Sequence, residues 1–166
     1  MAAHPQMSVE EYLRTSFEVD CDYVDGQIVE RNAGEMPHSK TLTDLMVLLH
    51  NLGKKLSFHV YPVLRMRLAA TRYRVADIAV FAGEKPTERF PSQPPLIAIE
   101  ILSRDDRYSD VLSKLEDYRA WGVRHIWFVD PWLRKINVYS DAGLTEVPAF
   151  QIPEYNVEIS AAEIFA

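Results

Sequence analysis

The chain has 166 residues, a net charge of −6, close to half hydrophobic side chains and a single cysteine, Cys21. That length suits one domain, residues 1–166, with a real core. A lone cysteine excludes an internal disulfide, no Cys/His set has zinc spacing, and no run of about 18 apolar residues would cross a bilayer. The acid excess argues against a simple polyanion binder, and the opening residues lack the basic and apolar segments of a leader, so a cytoplasmic protein that does not engage membranes is expected.

Taken in order, Ser8-Val-Glu-Glu11 fits a capping box and predicts a short helix over 9–15. Residues 21–24 and 27–31 flank Asp25-Gly26, a hairpin signal. After a loop over 32–37, Leu42, Leu45, Met46, Leu49 and Leu52 recur every three or four residues. They predict a helix over 37–55, with Gly53 marking its end. Residues 58–68 alternate as a strand with one solvated face, 69–73 read as a turn, and 75–81 as the next strand. A proline-bearing loop over 83–95 precedes a strand over 96–102. A polar break at 103–107 leads into a helix from 108 or 109 to 121, with Val111, Leu112, Leu115 and Tyr118 on its buried face and Gly122 as its cap. Strands over 125–129 and 135–139 follow, then a β-rich tail with a second capping box at Ser160 and Glu163. Interleaved strands and helices around one core predict a mixed α/β or α+β sheet domain.

Two of these strands carry an acid in an apolar run: Asp77 in Val-Ala-Asp-Ile-Ala-Val and Glu100 in Ile-Ala-Ile-Glu-Ile. A buried carboxylate needs compensation, and two of them separated by one loop suggest a shared cation. By alternation Asp77 shares a face with Val75, Ala79 and Phe81, and Glu100 with Ala98 and Leu102, the small alanines leaving room. Mg²⁺ accepts one or two protein carboxylates, and Mn²⁺ offers similar coordination. The alternative is that each acid is an ordinary exposed or hydrogen-bonded strand residue. Asp110, Lys114 and Tyr118 follow at four-residue spacing on one helix face. They form either a solvated ion pair or a device in which Asp110 orients Lys114 toward the acids.

Charge is unevenly spread. Residues 1–50 hold nine acids and three bases, whereas residues 51–80 hold six bases and one acid, Asp77. Among those bases, Arg65, Arg67, Arg72 and Arg74 belong either to a solvated hairpin or to a basic groove that contacts nucleic acid near the carboxylates.

The order Asp77 … Glu100-Ile-Leu102 … Asp110-x-x-x-Lys114-x-x-x-Tyr118 … Gly122-Val … Trp127-x-Val-Asp-Pro131, with Asp25-Gly26 and His38 ahead of it, resembles the bacterial putative restriction endonucleases of the PD-(D/E)XK nuclease superfamily. The resemblance spans roughly residues 8–140. It implies a restriction-endonuclease-like central mixed β-sheet flanked by helices and Mg²⁺-dependent (or Mn²⁺-dependent) cleavage of DNA. It further implies Asp77 and Glu100 as metal ligands with the Ile101 carbonyl as a third, and Asp110, Tyr118 and His38 as supporting residues. Two positions depart from the parent pattern: Ala76 stands at the motif proline and Leu102 at the motif lysine, so Lys114 is the candidate for the displaced lysine role.

No Gly-x-Ser-x-Gly elbow and no phosphate-cradling glycine loop occurs, which leaves serine hydrolases and nucleotide-dependent enzymes without support. Two functions remain: a metal-dependent endonuclease acting on DNA, and a non-catalytic nucleic-acid-binding or assembly module that keeps the nuclease fold. The aromatic density over 121–139 (Trp121, Trp127, Phe128, Trp132, Tyr139) raises the expectation of a homodimer.

Overall fold

The structure is a computed structural model and describes residues 6–166; the opening stretch, read above for a leader signal, lies in part outside the described residues. Helix α1 (Val9–Arg14) starts where Ser8 accepts a hydrogen bond from the Glu11 N–H at 3.1 Å. Strands β1 (Asp22–Val24) and β2 (Gln27–Val29) form the expected hairpin, with Asp25 and Gly26 both at positive φ, 49° and 92°. Asx and glycine tolerate that conformation, and it matches the twist of a two-residue hairpin.

Helix α2 (Met36–Leu56) runs past Gly53 and ends at Ser57, which takes the left-handed conformation (φ 55°). Gly53 is therefore a packing residue, and its expected role as a terminator is not observed. A Cβ there would lie 2.7 Å from the Phe58 carbonyl oxygen, where the chain turns back into the sheet. The site demands the absence of a side chain, not a left-handed backbone.

Strands β3 (Phe58–Ala69) and β4 (Arg72–Ala82) pair antiparallel along their length, with a tighter turn than the sequence predicts. Val63 lies between the pairs Pro62↔Ile78 and Leu64↔Ala76, opposite Asp77, and has φ 47°. A β-branched residue in that region is strained by about 1–3 kcal/mol. β5 (Ile97–Ile101), α3 (Tyr108–Trp121), β6 (His125–Asp130), β7 (Lys135–Ser140) and β8 (Gly143–Val147) follow, and Gly122 caps α3 at φ 104°. β9 (Ala149–Ile152) and β10 (Val157–Ser160) form a separate two-stranded sheet, and Ser160 and Glu163 complete the capping box of α4 (Ala161–Ile164).

Among the described residues the main sheet has eight strands in the order β2-β1-β4-β5-β6-β7-β8, with β3 on the other side of β4. It is mixed, since β5 and β6 run parallel and their neighbours antiparallel. One face packs under α2, α4 and the small sheet through Leu45, Leu49, Ile78, Ile99, Trp127 and Phe150. The other packs under α3 through Ala79, Ala98, Leu115, Tyr118 and Phe128. This is the helix-flanked mixed sheet that the sequence predicts.

Of the five aromatic residues behind the expectation of self-association, Trp121, Trp132 and Tyr139 are half-buried and two lie in the core. Trp127 is 1% exposed and stacks on Phe150 at 4.1 Å, and Phe128 lies in the opposite core. Those rings fill the interior and offer little to a partner. No helix of the described residues is long and apolar enough to cross a membrane.

Candidate active site

One edge of β4 is shared by two strands. β1 pairs with its beginning (Tyr23↔Tyr73, Val24↔Arg72) and β5 with its later part (Ile78↔Ile99 to Val80↔Ile97). Between them the edge has no strand partner, and buried backbone groups cannot be left unpaired without a cost of about 1–3 kcal/mol each. Side chains satisfy them. The Val75 N–H donates to Asp22 Oδ1 at 2.7 Å, and Lys114 Nζ donates to the Val75 carbonyl at 2.6 Å. Across the gap, the Ile101 N–H donates to Asp77 Oδ2 at 2.7 Å. The fork thus draws acids and a lysine into the sheet as substitutes for a ladder.

A cavity of about 640 Å³ opens here, and Asp77, Glu100, Ile101 and Lys114 all line it. Asp77 and Glu100 are 4% and 8% exposed. Asp77 is reached from the end of the β1–β2 hairpin and from the first turn of α2. Arg31, just beyond β2, donates to its Oδ1 at 2.6 Å, and His38 Nε2 lies 3.4 Å from its Oδ2. Glu100 is reached from α3, with Lys114 Nζ donating to Oε2 at 3.0 Å and the Tyr118 hydroxyl to Oε1 at 2.7 Å. His38 and Tyr118 therefore touch the acids.

The two carboxyls have opposed electrostatics. Burial pushes Glu100 up to about 7, since the Lys114 charge only partly offsets desolvation and the Asp77 charge adds to it. Burial pushes Asp77 up as well, but the His38 hydrogen bond and the Arg31 and Lys114 charges outweigh it and hold Asp77 below the ordinary range. His38 is lowered by burial and raised more strongly by Asp77, for a net rise. Environments that separate two neighbouring acids in this way are a feature of functional sites.

Several expectations need correction. Asp110 lies exposed at the cavity rim. The second acid at Lys114 is Asp22, 3.6 Å away and 2% exposed. Lys114 itself is 8% exposed, so the solvated ion pair with Asp110 is not formed, and it fills a position in the buried face where Val111 and Leu112 are only half-buried. Arg74 is 3% exposed, and its guanidinium is committed to Asp22 at 3.1 Å and to Asp117 of α3, which leaves it no face for a phosphate. Arg72 pairs with Asp25 and with the same Asp117. These two arginines fasten α3 to β4 and so aim Lys114 at Glu100. Arg65 pairs with Asp20 and lies over the ring of Tyr12, its Nε buried without a hydrogen-bond partner. Of the four proposed phosphate contacts, Arg67 is the exposed one.

Asp22 and Arg31 escaped the sequence reading. Asp22 sits in Cys-Asp-Tyr-Val, an acid within an apolar strand, which is the pattern that picked out Asp77 and Glu100. Arg31 carries no such signal, because it follows a short strand and enters the site only through the fold.

Known proteins bear on this geometry. The crystal structure of a putative nuclease belonging to DUF820 from Anabaena variabilis matches with a TM-score of 0.82 and 19% identity, covering 96% of this chain and 97% of that one. At that identity the likeness establishes the fold. Curated proteins give no match. The Uma2 family, described as putative restriction endonuclease, matches residues 9–165, and with nearly its whole length matched the chain belongs to that family.

Proposed function

We propose that the protein is a metal-dependent endonuclease that hydrolyses DNA phosphodiester bonds, with Asp77, Glu100 and Lys114 at its centre. The observation that carries this reading is the convergence of two buried acids from adjacent strands and a buried lysine from α3 on one open cavity.

The residues fit a hard divalent cation. Among the described residues no group of three or more His, Cys, Asp or Glu side chains is set to hold an ion. Mg²⁺ and Mn²⁺ would therefore rest on the Asp77 and Glu100 carboxylates, with the Ile101 carbonyl and water completing the shell, a donor set Mg²⁺ commonly accepts. When bound, such an ion would polarise the phosphodiester and acidify the attacking water. The chain's own part is to hold that geometry. Ile101 N–H and His38 fix Asp77 Oδ2, Tyr118 fixes Glu100 Oε1, and Lys114 supplies a fixed ammonium beside Glu100 for charge that develops on the reacting phosphate.

One observation favours the other reading, a binding or assembly module with the nuclease fold: Arg65, Arg72 and Arg74 spend their charge on acids of the chain. Plasmid incubated with Mg²⁺ or Mn²⁺, against an Asp77→Ala control, separates the two. Nicking by the wild type and none by the variant supports the nuclease. Equal inactivity with every divalent ion supports the module.

A further inference from the structure

Both oxygens of Asp77 are already engaged. Its Oδ2 is held by the Ile101 amide at 2.7 Å and approached by His38 at 3.4 Å, whereas Oδ1 takes Arg31 at 2.6 Å. The Arg31 side chain is 15% exposed and that of Asp77 5%, so this is a largely desolvated pair. Each buried acid already faces a cation, Asp22 Arg74, Asp77 Arg31 and Glu100 Lys114, with Arg74 shared with Asp117 and Lys114 with Asp22. A divalent ion added to this set would leave excess positive charge in a poorly solvated place. Two changes relieve that excess: the guanidinium leaves Asp77, and an anion arrives to receive it.

We infer that Arg31 is a place-holding cation that yields Asp77 Oδ1 to the divalent ion only as a phosphodiester enters the cavity to take up its guanidinium, so that metal and nucleic acid bind as a coupled pair. The inference rests on the metal site proposed above. Arg31 suits both partners. It already lines the cavity, and its planar fork of donors binds a carboxylate or a phosphate in the same way. Lys114 cannot take this part, because the Val75 carbonyl, Glu100 and Asp22 hold it in place. Arg31 is thus a positioning residue in the free protein and a substrate contact in the complex.

Calorimetric titration with Mn²⁺ tests this on the wild type, Arg31→Gln and Arg31→Lys, each with and without a short phosphorothioate DNA duplex that resists cleavage. In the absence of DNA, Arg31→Gln should bind Mn²⁺ about tenfold or more tightly than the wild type, and Arg31→Lys should stay close to the wild type, because its charge is retained. The duplex should tighten Mn²⁺ binding by about tenfold in the wild type and far less in Arg31→Gln, a coupling of ordinary allosteric size. Equal Mn²⁺ affinity in wild type and Arg31→Gln overturns the inference and leaves the metal site standing. If Arg31→Gln does not fold in EDTA, the wild type alone decides, and Mn²⁺ affinity that ignores the duplex overturns it. Failure of both proteins to bind Mn²⁺ with or without the duplex refutes the metal site, and the place-holding role falls with it.

Discussion

Replacing Glu100 with glutamine should stabilise the metal-free protein, by an amount that grows with pH. Burial raises this carboxyl from 4.5 to about 7. For an acid raised on folding, the native state keeps a proton that the unfolded chain has already lost between those two values. Stability from this group is therefore complete below about pH 4.5, falls as pH rises toward 7, and levels off above it. At about 1.4 kcal/mol per pKa unit, the loss is on the order of 3 kcal/mol. Glutamine keeps the shape and can still accept from Tyr118 or Lys114, but it has no charge to desolvate. Urea unfolding in EDTA from pH 4.5 to 8 should show the variant near or slightly below the wild type at the acid end and about 3 kcal/mol above it at pH 8. His38, also raised, titrates in both proteins and largely cancels in the difference. Saturating Mn²⁺ should stabilise the wild type at pH 8 far more than the variant. A difference between the two proteins that does not change with pH would refute the claim that burial governs Glu100.

Other residues give sharper separations of role. Lys114→Met should lower plasmid cleavage by about 100-fold or more at saturating Mg²⁺. Because Lys114 is buried against two acids and a carbonyl, the same change should cost about 3–5 kcal/mol in urea unfolding, and full activity would remove the lysine from the mechanism. Arg74→Ala should destabilise by a similar amount while the salt dependence of DNA binding stays unchanged. Arg67→Ala should leave stability within about 0.5 kcal/mol and lower the log–log salt slope by about one, and the reverse pattern would exchange their roles. Gly53→Ala tests packing against propensity. Alanine is the better helix former by about 1 kcal/mol, yet a Cβ 2.7 Å from the Phe58 oxygen should make the variant less stable by about 1–3 kcal/mol in thermal melts.

Local chemistry made much of the architecture readable in the chain. Asp25-Gly26 specifies the hairpin through its two positive φ angles, Ser8 and Ser160 cap α1 and α4, and apolar runs with one acid mark β4 and β5. Each of those signals lies within a few residues of what it determines. What stayed hidden depends on pairings between distant segments. Nothing near Arg31 reveals that β1 will leave the edge of β4 and bring the end of its hairpin against Asp77. Arg72 and Arg74 read as a basic patch because sequence cannot show Asp22, Asp25 and Asp117 folding back onto them. The role of Gly53 is hidden for a related reason, since the atom that forbids its side chain belongs to the strand that follows.

The fork in the β4 edge also equips the protein with its own spectroscopic probes. The amides of Val75 and Ile101 end on carboxylates, Asp22 and Asp77, where their neighbours end on strand carbonyls. Their nitrogen and proton resonances should therefore respond to whatever happens at those oxygens, whether protonation, exchange of a guanidinium for a metal, or arrival of a phosphate. Their solvent exchange should follow the strength of a charge-assisted bond, not the opening of a ladder. A titration followed at Ile101 would read the state of Asp77 directly, and one followed at Val75 would read Asp22, with no label placed in the cavity.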